Sequence, residues 1–379
     1  MSRLDQVNAA ARDQGLTSLL VTTPANTHYL CRFAAVTYSR PVVVVVTESP
    51  VLIVPELEEE HARGHSSIAD IGTYSDRMFG GVAGMSPLHL ALSIALEALR
   101  DLGVKGPIGF EAEGLSAEGF FTLRSRTSSA IVPTRGIVER LRMVKDAEEL
   151  DLIRKASALA DYGMGVEVAA SWPGNTEIAI MAEGNAAMLR EGLRRHFDHR
   201  IDAQSRPVSG PKTILPHSLP GVRQMAAGDG VIHGTGCVVN GYHAEDERTI
   251  FIERATDVQR QLFDIMLRAG AAALQVIRPG VPCREVDRAA RTIIEDAGYG
   301  PRFIHRAGHG LGLDYHELPF FAPGDDTELL PGMVMSVEPG IYIEDVGGFR
   351  HSDTVVVTEG GYEVLTPYPR DVEALIVRV

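Results

Sequence analysis

One short stretch, residues 228–253, constrains the fold of this chain more than any other. Two runs rich in β-branched and aromatic residues, 231–239 and 242–252, are separated only by Asn240-Gly241. Asn-Gly between such runs is the strongest short signal for a two-residue β-hairpin, because both loop positions need a positive φ. A loop of this length also fixes which residues of the two strands face each other.

This register predicts which side chains share a face of the hairpin. Gly234 faces Glu247 and Gly236 faces Glu245, and because side chains alternate along a strand, all four positions lie on one face. His243 points to the same face. Two carboxylates and an imidazole on one face are costly to bury unless a cation or protons neutralise them. The hairpin is therefore predicted to carry a functional site.

The composition indicates an ordinary globular protein. With 379 residues, of which 45% are hydrophobic, the chain is long enough for two domains with separate cores. A net charge of −14 without a dominant basic patch argues against nucleic acid as a partner. The odd number of cysteines, in no metal-like spacing, suits a reducing compartment. No apolar leader or membrane-spanning run is visible, so we expect a cytoplasmic protein without a membrane partner.

Helix and strand signals divide the chain at a short basic segment. Residues 1–133 alternate between helices and apolar strands, which predicts an α/β domain. Residues 134–145 are predicted to form a linker helix, and residues 146–379 a second domain. In that domain paired helices followed by strands occur twice, around 146–253 and 256–358. This repeat predicts an α+β domain of two similar halves, with a mostly antiparallel sheet and a site where the halves meet.

Two capping boxes predict where long helices of the second domain begin. Asp146 is followed three residues later by Glu149, and Thr256 is followed in the same way by Gln259. In each pair the first side chain accepts from the backbone of the third helical residue, and the second side chain accepts from the backbone of the cap.

Beyond the hairpin, a few stretches supply residues that can carry chemistry. His217 lies in the loop that precedes the hairpin, His309 lies between glycines with His316 seven residues later, and Glu338 ends an apolar strand. Glycines beside a histidine allow a ligand or a backbone to come close. Arg40 lies in the first domain before a proline, which favours an extended backbone.

The second domain carries three motifs in order after the hairpin, GHGLGLDYHE, VEPGIY and GGFRHSDTVVVTE. In this combination they resemble the creatinase, prolidase and aminopeptidase P family, and the resemblance covers nearly the whole chain. It implies an α/β, ribonuclease-H-like creatinase N-terminal domain. It also implies an α+β pita-bread C-terminal domain with two pseudo-symmetric halves, and a homodimer in which the N-terminal domain of one subunit helps close the active site of the other.

The peptidases of this family hold two divalent metals with two aspartates, a histidine and two glutamates. The resemblance carries these five positions onto Gly234, Glu245, His309, Glu338 and Ser352. Gly234 and Ser352 offer no anionic oxygen, and hard divalent cations need several such oxygens. The sequence therefore favours a site without a metal or another cofactor. The alternative is one weakly held divalent metal on Glu245, His309 and Glu338.

Creatinase is the family member that works without a metal, and several of its features match this chain. Its SFGRP arginine, which reaches a substrate carboxylate in the partner subunit, matches Arg40. Its catalytic histidine matches His217, and the glutamates of its LERT and MEP segments match Glu247 and Glu338. The resemblance implies that His217 is the general acid and base, and that Glu247 and Glu338 bind a cationic group.

The leading hypothesis is a metal-independent, creatinase-like hydrolase of an amide or amidine C–N bond in a small amino-acid-like substrate. A cationic substrate with a carboxylate is expected, because Glu245, Glu247 and Glu338 would otherwise repel one another. Gly234 is expected to leave room where that substrate lies against Glu247. The predicted catalytic residues are His217, Glu247 and Glu338, and the predicted substrate-binding residues are Arg40, Glu245, His309 and His316. Two alternatives are a metal-dependent Xaa-Pro dipeptidase or aminopeptidase, and a non-catalytic binding protein on the same fold.

Overall fold

The computed structural model describes residues 1–75, 77 and 86–378. It divides into two compact units, Met1–Arg142 and Met143–Val379. The predicted linker contains a short helix, Ile137–Arg142, which belongs to the first unit. None of the helices in the described ranges is long and apolar enough to cross a membrane.

The first unit is a six-stranded mixed sheet with helices, as predicted for an α/β domain. The strand order is β4-β3-β2-β1-β5-β6, with β2 antiparallel to both β1 and β3 and the other pairs parallel. The strands β1, β2 and β3 are completely buried, since apolar side chains cover both faces. The strands are β1 Ser18–Val21, β2 Val43–Val46, β3 Val51–Pro55, β4 Asp70–Tyr74, β5 Ile108–Glu111 and β6 Ile131–Thr134; the helices are α1 Arg3–Asp13, α2 Pro24–Cys31, α3 Glu59–His65, α4 Pro87–Asp101, α5 Ala117–Arg126 and α6 Ile137–Arg142.

The second unit is built on a ten-stranded, mostly antiparallel sheet. Its main path is β12-β11-β13-β16-β10-β9-β7, with β8, β17 and β18 paired to its strands, and β14 and β15 form a separate hairpin. The strands are β7 Ile201–Ser205, β8 Val208–Ser209, β9 Gly230–Val239, β10 Tyr242–Ile252, β11 Gly308–Gly310, β12 Glu317–Phe321, β13 Val334–Val337, β14 Gly340–Ile343, β15 Gly347–Arg350, β16 Ser352–Thr358, β17 Gly361–Val364 and β18 Ile376–Val377.

Four long helices cover this sheet in two pairs, which confirms the predicted repeat of paired helices and strands. Both predicted capping boxes are present, at the starts of the first and third of these helices. Ala156 and Leu159 pack with Cys237 and Val239 of the hairpin, whereas Phe263 packs in the larger core of the other half. The helices are α7 Ala147–Ala169, α8 Glu177–Arg195, α9 Asp257–Val276 and α10 Cys283–Asp296.

The β9–β10 hairpin has the predicted register over its full length. Gly234 pairs with Glu247 and Gly236 pairs with Glu245. At the turn Asn240 has φ 47° and Gly241 has φ 89°, the two positive values that the predicted loop requires. The face that carries the glutamates is therefore set by local sequence alone.

Candidate metal centre and active site

Three side chains with metal-ligand atoms converge on the sheet of the second unit. Glu245 comes from β10, His309 from β11, and Glu338 follows β13 directly. Their ligand atoms all lie within 4.8 Å of one another. His309 Nε2 is 3.7 Å from Glu245 Oε1 and 3.4 Å from Glu338 Oε1. Strand pairing brings these residues together, because β11, β13, β16 and β10 are successive neighbours in the sheet.

His309 is oriented as a metal ligand would be. Its side chain is fully buried, and its Nδ1 lies 3.0 Å from the carbonyl oxygen of Gly310, so the Nδ1–H donates to that oxygen. The Nε2 lone pair then faces the two carboxylates and has no hydrogen-bond partner among the described residues. Burial lowers the pKa of His309 to about 4, so the ring is neutral near pH 7. A backbone carbonyl on the far nitrogen is the usual support of a ligating histidine.

The two carboxylates are also arranged to receive a cation. Burial, and next the charges of Glu245 and Glu247, raise the pKa of Glu338 well above its ordinary range. A divalent ion among these carboxylates would remove that cost. Ser352 Oγ donates to Glu245 Oε1 at 2.6 Å, and the Tyr315 hydroxyl donates to the same carboxylate. The residues present therefore fit one divalent ion.

Glu247 lies beside this cluster but is bound by a cation of the chain itself. Arg350 Nε is 2.5 Å from Glu247 Oε2, and Arg350 Nη2 is 2.7 Å from Glu247 Oε1. Both side chains are buried. A Cβ at position 234 would lie 3.1 Å from Glu247 Oε1. The room expected above Gly234 is thus taken by the Glu247 carboxylate itself.

His316 and His217 lie at the exposed edge of the site. The ring of His316 stacks on that of His309, with 3.8 Å between centroids. Arg306 Nη2 donates to His316 Nδ1 at 2.9 Å, which leaves the proton of the neutral ring on Nε2. Burial, then the electrostatic effect of the neighbouring His309 ring, lowers the pKa of His316 to about 4, and Arg306 and His217 act in the same direction. His217 itself is exposed, on the loop before the hairpin.

Arg40 belongs to the first unit, where it is partly buried just before β2. The neighbouring Tyr38 is 91% exposed and has φ 32°. The predicted role of Arg40, the binding of a substrate carboxylate in the partner subunit, stays a prediction.

Two histidines beside the altered ligand positions point away from the site, as strand alternation predicts. His233 Nδ1 lies 3.0 Å from Glu167 Oε2, on the side of the sheet that α7 covers. The ring of His351 packs edge-on against Phe263 of α9, with 5.1 Å between centroids. Neither histidine replaces a ligand at position 234 or 352, because a shift of one residue in a strand reverses the side chain.

Sequence reasoning overlooked three residues of the site, namely Arg350, Tyr315 and Arg306. For Arg350 a signal was available, because it precedes Ser352 by two residues in an extended segment and therefore faces the same way. For Tyr315 and Arg306 no comparable signal exists, since both lie in irregular segments around β11.

Comparison with known proteins identifies the family. Residues 151–359 match the metallopeptidase family M24, and residues 3–144 match the creatinase/prolidase N-terminal domain. The chain belongs to metallopeptidase family M24. The family resemblance noted in the sequence is therefore confirmed, and so are the creatinase-type N-terminal domain and the pita-bread C-terminal domain.

Individual relatives of this M24 chain extend over nearly its full length. A putative dipeptidase YkvY of Bacillus subtilis is 31% identical, over 98% of this chain and 99% of that protein. An Xaa-Pro dipeptidase of Pyrococcus furiosus is 29% identical, over 97% and 99%. The structure of an Xaa-Pro dipeptidase from Bacillus anthracis superimposes with a TM-score of 0.88 at 27% identity, covering 99% of each chain. The expectation that this M24 protein is a hydrolase is confirmed.

Two other expectations are wrong. The metal-independent, creatinase-like function is overturned because the relatives are named dipeptidases and Xaa-Pro dipeptidases within a metallopeptidase family. The expectation of no cofactor fails for the same reason, and because Glu245, His309 and Glu338 form a group able to hold a metal. The alternative named in the sequence analysis, one divalent metal on Glu245, His309 and Glu338, fits the structure better, because these three donors surround one imidazole nitrogen that has no hydrogen-bond partner among the described residues.

Proposed function

We propose that this protein is a metal-dependent peptidase that cleaves small peptides, of the Xaa-Pro dipeptidase or aminopeptidase type. One divalent ion is held by Glu245, His309 and Glu338. The observation that carries the proposal is the buried Nε2 of His309, which lacks a hydrogen-bond partner and lies between two carboxylates. The similarity to a putative dipeptidase and to Xaa-Pro dipeptidases supports the substrate class.

The residues around the ion site have separable tasks. A divalent ion bound there would supply Lewis-acid polarisation of the peptide carbonyl and activation of a water molecule. The Nδ1–H of His309, held by the Gly310 carbonyl oxygen, fixes the ring so that Nε2 points inward. Ser352 and Tyr315 donate to Glu245 and fix the direction of its free lone pairs.

His316 and His217 are suited to contact the substrate. Because Arg306 donates to Nδ1 of His316, the ring presents an Nε2–H donor, which can orient a substrate carbonyl. His217 is an exposed histidine on the neighbouring loop, whose Pro216 carbonyl oxygen accepts from Arg350 Nη1 at 3.1 Å. We propose that His217 exchanges protons with the substrate or with solvent at the mouth of the site.

The finer properties of substrate and assembly are also proposals. A free dipeptide carries both an ammonium and a carboxylate, which agrees with the expected cationic substrate that has a carboxylate. We propose a homodimer in which Arg40 of one subunit binds that carboxylate in the other, as the family resemblance implies. A cytoplasmic location is supported by the three cysteines, which are buried thiols without disulfide partners.

Peptide hydrolysis in the presence and absence of a chelator tests the proposal. Purified protein is assayed with a panel of Xaa-Pro and other dipeptides after dialysis against EDTA, and again after addition of Mn²⁺, Co²⁺ or Zn²⁺. We expect hydrolysis that EDTA abolishes and that one of these metals restores. His309→Gln is expected to be inactive at every metal concentration, because it removes the buried imidazole ligand.

The matched control is His233→Gln, which changes a buried histidine on the opposite face of the same sheet. It is expected to keep its metal-dependent activity if it folds, as checked by circular dichroism. Hydrolysis that persists in EDTA, or the absence of peptide hydrolysis with all three metals, would contradict the proposed function.

A further inference from the structure

We propose that this chain binds one divalent ion rather than two, and that the Arg350 guanidinium, paired with Glu247, is a built-in cation in the place of a second ion. This inference rests on the proposed function, because it concerns the same metal centre. It goes beyond that function because it assigns the ion to Glu245, His309 and Glu338, and the position next to the ion to the guanidinium of Arg350.

The site has enough donors for only one divalent ion. Glu245, His309 and Glu338 surround one position, whereas a second ion beside them would need further anionic oxygens. Gly234 has no side chain, and the Ser352 hydroxyl already donates its proton to Glu245 Oε1 at 2.6 Å. The neutral Ser352 hydroxyl therefore orients Glu245, which is a ligand of the first ion, and it offers no negative charge to a second ion.

The space next to that position is filled by a buried ion pair. The guanidinium of Arg350 makes two parallel hydrogen bonds to Glu247 in a buried setting, which is the strongest geometry for this kind of ion pair. Glu247 Oε1 lies 3.1 Å from the site of a Cβ at position 234. A side chain at position 234 would therefore press on this carboxylate, so the glycine leaves the space that Glu247 occupies while it is paired with Arg350.

The charges in the site also favour a single divalent ion. Three carboxylates, those of Glu245, Glu247 and Glu338, interact electrostatically with one another. Counted together with the guanidinium groups of Arg350 and Arg306, which both act on Glu338, one divalent ion brings this cluster close to neutrality, whereas two divalent ions would leave a clear excess of positive charge in a buried site. The Arg350 guanidinium also cannot dissociate or lose its proton, so this half of the centre stays occupied at any metal concentration.

The extended contacts of Arg350 show that it is fixed in place. Its Nη1 lies 3.1 Å from the hydroxyl oxygen of Tyr342 and donates to the carbonyl oxygen of Pro216, also at 3.1 Å. These bonds join β15, β14 and the loop that carries His217. Arg350 is therefore a positioning residue as well as a fixed charge, since it holds the start of that loop against the site.

Metal stoichiometry tests the inference with a readout other than activity. The full chain is stripped with EDTA and titrated with Co²⁺ by isothermal titration calorimetry, and the metal retained after gel filtration is counted by inductively coupled plasma mass spectrometry. We expect one ion per wild-type chain and none above background for His309→Gln. Glu247→Gln, which keeps the shape of the side chain and an acceptor for Arg350, is expected to retain one ion.

The outcomes separate this inference from the proposed function. Two ions per wild-type chain, or loss of the ion in folded Glu247→Gln, would overturn the inference even if peptide hydrolysis is metal-dependent. One ion without peptide hydrolysis would sustain the inference and refute the substrate class. No ion in the wild-type chain would overturn both. Near-ultraviolet circular dichroism of each variant ensures that only folded protein is compared.

Discussion

At the scale of single residues, the site is defined by which charged groups have partners. Glu247 is satisfied by Arg350, whereas the Nε2 of His309 is left between two carboxylates without a hydrogen bond. A buried polar atom without a partner usually costs about 1–3 kcal/mol. The unpartnered atom is His309 Nε2, at the position where we propose that an ion binds. The neighbouring carboxylate of Glu247 avoids this cost because it is paired with Arg350.

His305 shows how a buried histidine links stability to pH. Its Nδ1–H donates to the Arg306 carbonyl oxygen at 2.7 Å, and its Nε2 accepts from the Tyr342 hydroxyl at 3.0 Å. Burial is the main reason why its pKa falls from 6.5 to about 4. Protonation would remove the acceptor and place a charge near Arg350.

We predict that His305 makes the fold less stable in acid. Between pH 6.5 and 4 the unfolded chain binds a proton at this position that the folded chain excludes, so the free energy of unfolding falls as the pH falls. The free energy of unfolding is not reduced by this effect above pH 6.5. The loss on acidification amounts to about 2 kcal/mol after allowance for the partial exposure of the His305 side chain. Urea unfolding at pH 7.5 and 4.5 should show a smaller loss for His305→Gln than for the wild type.

The exposed histidine His65 provides the matched control for that measurement. His65→Gln should lose as much stability on acidification as the wild-type chain does. An equal loss for His305→Gln and the wild type would mean that His305 is not the residue responsible.

At the scale of elements, β11 must lie unusually close to its neighbours for His309 to reach the site. A Cβ at Gly308 would lie 2.1 Å from the carbonyl oxygen of Ser336 in β13 and 2.9 Å from a ring carbon of Phe321 in β12. Only glycine permits this approach. The glycines of the GHG motif are therefore needed for strand packing, and the histidine between them is positioned as a consequence.

We predict that Gly308→Ala lowers the free energy of unfolding by about 3 kcal/mol, because the strands must separate to admit the methyl group. Gly324→Ala is the matched control, since nothing lies within 4 Å of its Cβ position, and it should change stability by less than about 1 kcal/mol. Thermal and urea denaturation of both variants provide the measurement. Similar stability of the two variants would show that β11 is not packed as tightly as described.

At the scale of the whole molecule, the proposal to be tested is that Arg40 of one subunit acts in the active site of a partner subunit. The family resemblance implies a contribution across subunits of a homodimer. The chain mass is 41.0 kDa, so sedimentation equilibrium should give twice that mass for a dimer.

Complementation between inactive subunits tests the role of Arg40. Arg40→Ala and His309→Gln chains are each expected to have little activity alone. If Arg40 acts across subunits, a co-expressed mixture should recover about a quarter of the wild-type rate, because half of the dimers contain one intact site out of two. Absence of recovery, with heterodimers demonstrated by differently tagged chains, would place Arg40 in the site of its own subunit. Full activity of the Arg40→Ala chain alone would place Arg40 outside any site.

Much of this architecture was predictable from the sequence because the signals are local. The Asn240-Gly241 loop fixes the hairpin register, and two capping boxes mark where α7 and α9 begin. Strand alternation likewise accounts for His233 and His351, whose side chains contact α7 and α9 rather than the site. Such predictions succeed because backbone geometry in a turn, a cap or a strand depends on only a few neighbouring residues.

The sequence by itself determined which face of the hairpin carries Glu245 and Glu247, since a two-residue loop and strand alternation leave no freedom. Only the tertiary structure decided what each carboxylate does. Glu247 meets Arg350, which follows it by 103 residues, and Glu245 meets His309 across two intervening strands. The partners of a buried charge depend on the order of the strands in the sheet and on the length of the side chains. The spacing of residues along the sequence encodes neither of these, so only the folded structure shows the partners.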